Sequence, residues 1–220
     1  MTGRFIGLGI GKYKAAAAAH HADFRAMSGS DQIASPFALA VLRATLETVQ
    51  PGRVLEIGSG IGTMTDILTT FGCEVHETED NAFCRAQLRR NLADWQVRRI
   101  SPGLGYLHSL IVVDGDQVRP NIALGLLRQT GWMLVEGNRR EWRAGLKYGY
   151  REFVAVNLRP FDQSKGVWLL AFEPSAALRF AFGAERLWQG ALSFLSRAWS
   201  FLSGATSYHG KRRTYDPVPR

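Results

Sequence analysis

Arg53-Val54-Leu55-Glu56-Ile57-Gly58-Ser59-Gly60-Ile61-Gly62-Thr63 is the stretch whose reading decides the fold of this chain. Its first five residues form an apolar run with a single acid, as expected of a strand buried on both faces. Three alternating glycines then turn the chain, and a helix is expected over residues 63–71, capped by Gly72. A strand, a glycine turn and a helix in succession bring backbone N–H groups and a positive helix end to one place, which suits a nucleotide-like ligand. Glycine at 58, 60 and 62 removes side chains where such a ligand touches backbone. The spacing G-x-G-x-G departs from the G-x-G-x-x-G that accommodates a pyrophosphate in dinucleotide folds.

Outward from this stretch, apolar and polar patterns alternate. Upstream, Pro36 is placed to open a helix that carries Leu39, Val41, Leu42, Leu46 and Val49 at helical spacing, ended by Pro51-Gly52. Downstream, a strand is expected over 74–78 and a helix over 82–95. Leu110-Ile111-Val112-Val113-Asp114 and Trp132-Met133-Leu134-Val135-Glu136 read as buried parallel strands, with a helix over 122–129 between them. Residues 153–158 and 167–172 are two further strand-like runs with no clear helix between them. The order predicts an α/β sandwich, mostly parallel with one antiparallel strand.

Composition limits the rest. The chain has 220 residues, 46% hydrophobic and 21% charged, enough for one α/β domain with a substantial core. A formal charge of +8 favours anionic partners without naming one. The two cysteines, Cys73 and Cys84, have no metal-ligand spacing and read as reduced thiols of a cytoplasmic protein. Gly7-Leu8-Gly9-Ile10-Gly11-Lys12 superficially suggests a phosphate loop, but Tyr13 stands where Ser or Thr is required and no strand precedes it. It is also short and glycine-rich for a signal-peptide core. No stretch approaches the roughly 20 apolar residues that span a bilayer.

Residues 54–62 resemble the first motif of the class I S-adenosylmethionine (SAM) dependent methyltransferases. Glu79, just past the second strand, fills the place of that family's acid on the ribose hydroxyls, and Asp80-Asn81 leads into the next helix. Asp114 and Glu136 end the fourth and fifth strands. The resemblance covers residues 36–173. It implies a Rossmann-like three-layer sandwich with a mostly parallel seven-stranded sheet and one antiparallel strand, to which the residues outside the resemblance add helical N- and C-terminal extensions. It also implies SAM as cofactor, held by Glu56, Gly58, Ser59, Gly60, Gly62, Glu79, Asp80 and Asp114.

The local matches are most similar to small-molecule O-methyltransferases of the catechol and caffeoyl-CoA type. Val113-Asp114-Gly115-Asp116 resembles their D-A-D segment, and Glu136-Gly137-Asn138 lies where they carry an Asp-Asn pair. Asp114 and Asn138 match their metal-binding pattern. Gly137 replaces the second metal-binding Asp and Gln117 stands in place of a frequent Lys, so a divalent metal is not expected. The segment between Trp95 and Leu110 carries no acid for the adenine amine. Since SAM arrives already activated, a base is needed only for a hydroxyl acceptor, and Asp116, Glu136 and His108 are the candidates. No Asn-Pro-Pro-Tyr segment, the mark of amino-methylation, is present.

Three functional readings follow. The first is a SAM-dependent methyltransferase acting on a small or lipid-like hydroxyl acceptor. The second is a non-catalytic methyltransferase-like scaffold for assembly or membrane attachment, and the third is an RNA methyltransferase, motivated by charge alone. Residues 1–35 read as an N-terminal extension, 36–174 as the SAM-binding domain, and 175–220 as an amphipathic helix with the basic tail Lys211-Arg212-Arg213. Leu178, Phe182, Trp188, Leu192, Leu195, Trp199 and Leu202 share one face over 178–202. That face is expected to pack on its own domain, on a second copy as a homodimer, or on a membrane surface, making the protein peripheral there.

Overall fold

Ser35 opens the helix on which the fold is assembled. Its hydroxyl accepts from the Ala38 N–H at 3.1 Å, and Pro36 supplies the first helical residue of α2 (Pro36–Val49). Gln50 ends the helix in the left-handed region, its N–H donating to the Leu46 carbonyl. The computed structural model describes residues 9–92, 98–99, 108–114, 127, 130–137, 153–158 and 166–172.

α2 is buried nearly all round: Ala38, Ala40 and Ala44 are covered as fully as Leu39, Leu42 and Leu46. Such a helix needs neighbours on two sides. One is the N-terminal segment, a 3-10 turn at Ile10–Tyr13 running into α1 (Lys14–Arg25), both packed on α2. The small alanines of α2 allow this close approach. Ile10 and Ala17 join the same core cluster as Val54 and Leu110. Burying a side chain the size of Ile10 stabilises by about 1.5–3 kcal/mol, so Ile10 and Ala17 anchor residues 10–25 in the core.

The other neighbour is the sheet. Strands β1 (Arg53–Ile57), β2 (Glu74–Thr78), β4 (Leu110–Val113) and β5 (Trp132–Glu136) run parallel. β7 (Val167–Phe172) is antiparallel to both β5 and β6 (Phe153–Asn157). A two-residue pairing, β3 (Arg98–Arg99), flanks β2. The order is β3-β2-β1-β4-β5-β7-β6. Val54, Val75, Leu110, Val112, Leu134 and Leu169 share a core with Met64, Ile67 and Leu68 of α3 (Thr63–Thr70). Leu55, Ile111, Val113, Met133 and Val135 alternate with them and are also buried, as parallel strands require.

The strand reading holds for β1, β2, β5 and β7 at the boundaries read from pattern, and for β4 and β6 to within one residue. The pattern missed β3, because two arginines carry no apolar signal. α4 (Ala82–Asn91) begins where expected; the end read for it at 95 lies outside the described residues. So do most of the helix expected over 122–129 and all of the amphipathic helix over 178–202. Among the described residues, no helix is long and apolar enough to cross a membrane.

Candidate functional site

From β1 the chain passes to β2 on one side, and β4 then lies on the other side of β1. The order reverses between β1 and β4, and in open α/β sheets ligands bind at the carboxyl ends of strands flanking such a reversal. The glycine loop lies there. The Gly58 N–H donates to the Thr78 carbonyl at 2.8 Å, and the Asp114 N–H donates to the Ile57 carbonyl at 2.8 Å. Loop, β2 end and β4 end are thereby tied together.

All three glycines have positive φ: 80° at Gly58, 56° at Gly60 and 99° at Gly62. Two of them serve different ends. A Cβ on Gly62 would fall 2.8 Å from Leu88 Cδ1, so this glycine lets α4 close against the loop. A Cβ on Gly60 would meet no atom within 4 Å. That position faces open space, as a residue underneath a ligand would. The Asn91 amide donates to the Ile61 carbonyl at 2.9 Å and fixes the loop from α4.

Glu79 follows β2 by one residue and its carboxylate is held at both oxygens. The Gly60 N–H donates to Oε2 at 2.8 Å and the Asn81 N–H to Oε1 at 2.7 Å. Arg85 donates to the carbonyls of Glu79 and Asp80 at 2.8 and 2.6 Å, holding the backbone beneath. Asn81 caps α4, accepting from the Phe83 and Cys84 N–H groups. Two backbone donors, one on each oxygen, therefore fix the orientation of the Glu79 carboxylate. Such a group suits a vicinal diol. Asp80 is exposed beside it, and Asp114 is half-buried at the end of β4.

Beneath the loop, Glu56 is fully buried and its Oε2 accepts from the Thr65 hydroxyl at 2.7 Å. Burial, with Glu77 and Glu79 adding like charge, raises its pKa to about 8 against the opposing pull of Thr65. Ser59 donates to Glu77 Oε2 at 3.0 Å. Glu56 Oε1 and Thr63 Oγ1 are buried without a hydrogen-bond partner among the described residues. Open space at Gly60, an oriented diol acceptor at Glu79 and two polar atoms left over beneath the loop fit a nucleoside-bearing cofactor.

The sequence-derived base candidates separate in space. Glu136 ends β5, buried, one step beyond the Val113–Val135 register pair and thus level with Asp114. Its successor Gly137 has φ 92°, a conformation that disfavours an acid at the place where the metal pattern would need one. Asp116 and Asn138 lie outside the described residues. Among the described residues, no three His, Cys, Asp or Glu side chains are grouped to hold a metal. His108 is not brought to the loop. It precedes β4 at the amino end, one strand length or roughly 13 Å away, with its Nε2 2.8 Å from His76 Nδ1.

Sequence reasoning missed the flank of the site. His20 of α1 donates from Nε2 to the Thr63 carbonyl at 2.8 Å. Phe24 and Ile33 pack with Ile61, Leu88 and Leu92 into a second cluster. Gly29, at φ 86°, lies so near Phe83 and Ile61 that a Cβ there would clash. A segment read as alanine-rich and turn-like thus walls the glycine loop. No local pattern signals this, because the contacts join residues far apart in the chain.

No family model and no curated protein matches the chain. Solved structures do match. The SAH-bound methyltransferase PaMTH1 of Podospora anserina superposes with TM-score 0.54 at 19% identity, over 72% of this chain and 88% of that one. A putative O-methyltransferase from Klebsiella pneumoniae gives 0.53 at 17%, covering 73% and 90%. A putative RNA methyltransferase from Pyrococcus horikoshii gives 0.51 at 11%, covering 73% and 98%. Identities this low speak to architecture, and the architecture agrees with the loop, the strand order and the placement of Glu79. The chain has the class I SAM-dependent methyltransferase fold.

Proposed function

We propose that this protein is a SAM-dependent methyltransferase that methylates a hydroxyl of a small or lipid-like acceptor. The observation that carries the reading is the Glu79 carboxylate, oriented by the Gly60 and Asn81 N–H groups at the strand-order reversal. Gly58, Ser59, Gly60 and Gly62 line the backbone cradle, Glu79 takes the ribose hydroxyls, and Asp114 closes the β4 side. Structural neighbours described as O-methyltransferases support the acceptor class, although the RNA methyltransferase shares the fold. The reading includes the full three-layer sandwich with seven strands, of which β7 is the antiparallel one.

When bound, SAM supplies an activated methyl group, so the protein's task is alignment of donor and acceptor and exclusion of water. Glu136, level with Asp114, and Asp116 are the groups assigned to accept the hydroxyl proton. Calorimetry with SAM and SAH tests the reading. Binding by the wild type, weakened in Glu79→Ala and Gly60→Val, supports it; absence of binding by the wild type sinks it. Binding without transfer to any hydroxyl acceptor would turn the assignment toward a scaffold.

A further inference from the structure

The loop end of the sheet gathers three buried carboxyl groups. Glu56 and Glu77 are register partners on adjacent parallel strands, so their side chains leave the same face, and Glu79 lies two residues beyond Glu77. Adjacent strands stand about 4.8 Å apart. Carboxylates on partnered positions repel unless one of them keeps a proton.

Hydrogen bonding decides which one keeps it. Glu79 accepts two backbone N–H groups and Glu77 accepts the Ser59 hydroxyl. Glu56 accepts Thr65 on one oxygen, while the other is buried without a partner among the described residues. On its β4 side the register partner is apolar Val112. Among the described residues, the groups facing Glu56 are Glu77 and Glu79 from the β2 side, Thr65 from α3, and Val112 from β4. A lone oxygen in that setting is where negative charge costs most, in keeping with a carboxyl raised to about 8.

Resting on the methyltransferase reading, we propose that Glu56 is a proton store coupled to the cofactor. It is neutral in the free protein, releases its proton when a cationic ligand occupies the loop, and thereby favours SAM over SAH as pH rises. The balance is simple. The Glu56 O–H bond breaks, its electron pair stays on the carboxylate, and the proton passes to solvent. SAM carries a sulfonium charge that SAH lacks, and a nearby cation lowers the pKa of an acid. Ionised Glu56 therefore stabilises SAM more than SAH. Once the methyl group has left, the charge is gone, Glu56 takes a proton back, and the product is released more readily.

The test is calorimetric titration of the full chain with SAM and with SAH at pH 6.5, 7.5 and 8.5, in phosphate and in Tris, so that protons released are counted. The expected result is release of about half a proton with SAM near pH 7.5, less with SAH, and a SAM-to-SAH affinity ratio that rises about sixfold across the range, toward the tenfold limit that one pKa unit of coupling sets. Glu56→Gln keeps an acceptor for Thr65 and removes the titration. It should bind both ligands with the extra release and the rise in ratio gone. The ligand's own amino group titrates in the same range, and it is common to both proteins. If Glu56→Gln does not fold, Thr65→Val gives a second arm: losing a donor to ionised Glu56 must move the transition to higher pH, whereas a titration of the ligand stays in place. Proton release equal in wild type and variant, or a ratio flat with pH, overturns the coupling alone. Failure of the wild type to bind either ligand overturns the methyltransferase reading.

Discussion

At the amino end of β1 and β2, four polar side chains contact one another in a row. Arg53 donates to Glu74 at 2.6 Å, Glu74 lies 3.2 Å from His76, and His76 lies 2.8 Å from His108. Because a carboxylate only accepts, His76 donates from Nε2, its Nδ1 accepts, and His108 is the donor between the rings; this tautomer assignment follows from the network. At the carboxyl end of the same strands, Glu56, Glu77 and Glu79 bring acceptors together, backbone and hydroxyl donors hold them, and polar atoms remain beneath the loop. One end is a row of side chains that contact one another; the other gathers carboxyl groups beside a glycine that faces open space. Buried imidazoles are therefore not a guide to the site in this protein. Backbone-oriented carboxylates beside an open glycine are.

Substitutions at the two ends should behave differently. The largest effect is expected at Gly62→Val, which meets Leu88 and must hold φ 99°. Overpacking and backbone strain together predict a loss of about 2–6 kcal/mol in denaturant unfolding. Gly60→Ala, with open space around its Cβ, should cost only the strain, about 1–3 kcal/mol. Equal destabilisation by the two would contradict the separate roles assigned to these glycines.

Next in size, Glu79→Ala removes charged hydrogen bonds to a diol and should weaken SAH binding by about 1.5–3 kcal/mol, some 10- to 150-fold, by calorimetry. His108→Ala is its counterpart. It leaves His76 without its donor and should cost about 1–3 kcal/mol of stability while leaving SAH affinity unchanged. Weakened binding in His108→Ala would join the two ends that the structure keeps apart.

A different kind of effect concerns pH. Glu56 in the folded protein titrates near 8, above its ordinary value of 4.5, so between these values the folded state binds more protons than the unfolded state. The stability this confers is full below pH 4.5 and is lost as pH rises through 8. Glu56→Gln should flatten that part of the stability profile, measured by urea unfolding at several pH values. An unchanged slope would mean that Glu56 is ionised already.

Much of this architecture is legible in the amino-acid sequence. Apolar runs bounded by turn residues locate β1, β4, β5, β6 and β7, because a strand buried on both faces has a signature confined to its own residues, while β2 follows from its place between two helical patterns. The loop and Glu79 are legible for the same reason: alternating glycines and an acid just past a strand are local features. β3 is not, since two arginines look like surface. Nor is the role of residues 9–35. Alanines and glycines there carry little pattern, yet Ile10 and Ala17 fill the core and Gly29 seats against Ile61 and Phe83.

The sequence by itself determined the element order, the glycine cradle and the acid that faces it, since short-range pattern and propensity are enough for each. Tertiary structure alone decided that His108 belongs to the far end, that Gly60 and Gly62 serve different needs, one space and the other contact, and that Glu56 shares its register with Glu77. Those facts depend on which strands lie side by side and on how deeply they are covered. Pairing and burial are properties of the assembled sheet, and they turn an ordinary glutamate in a strand into a carboxyl that holds its proton to about pH 8.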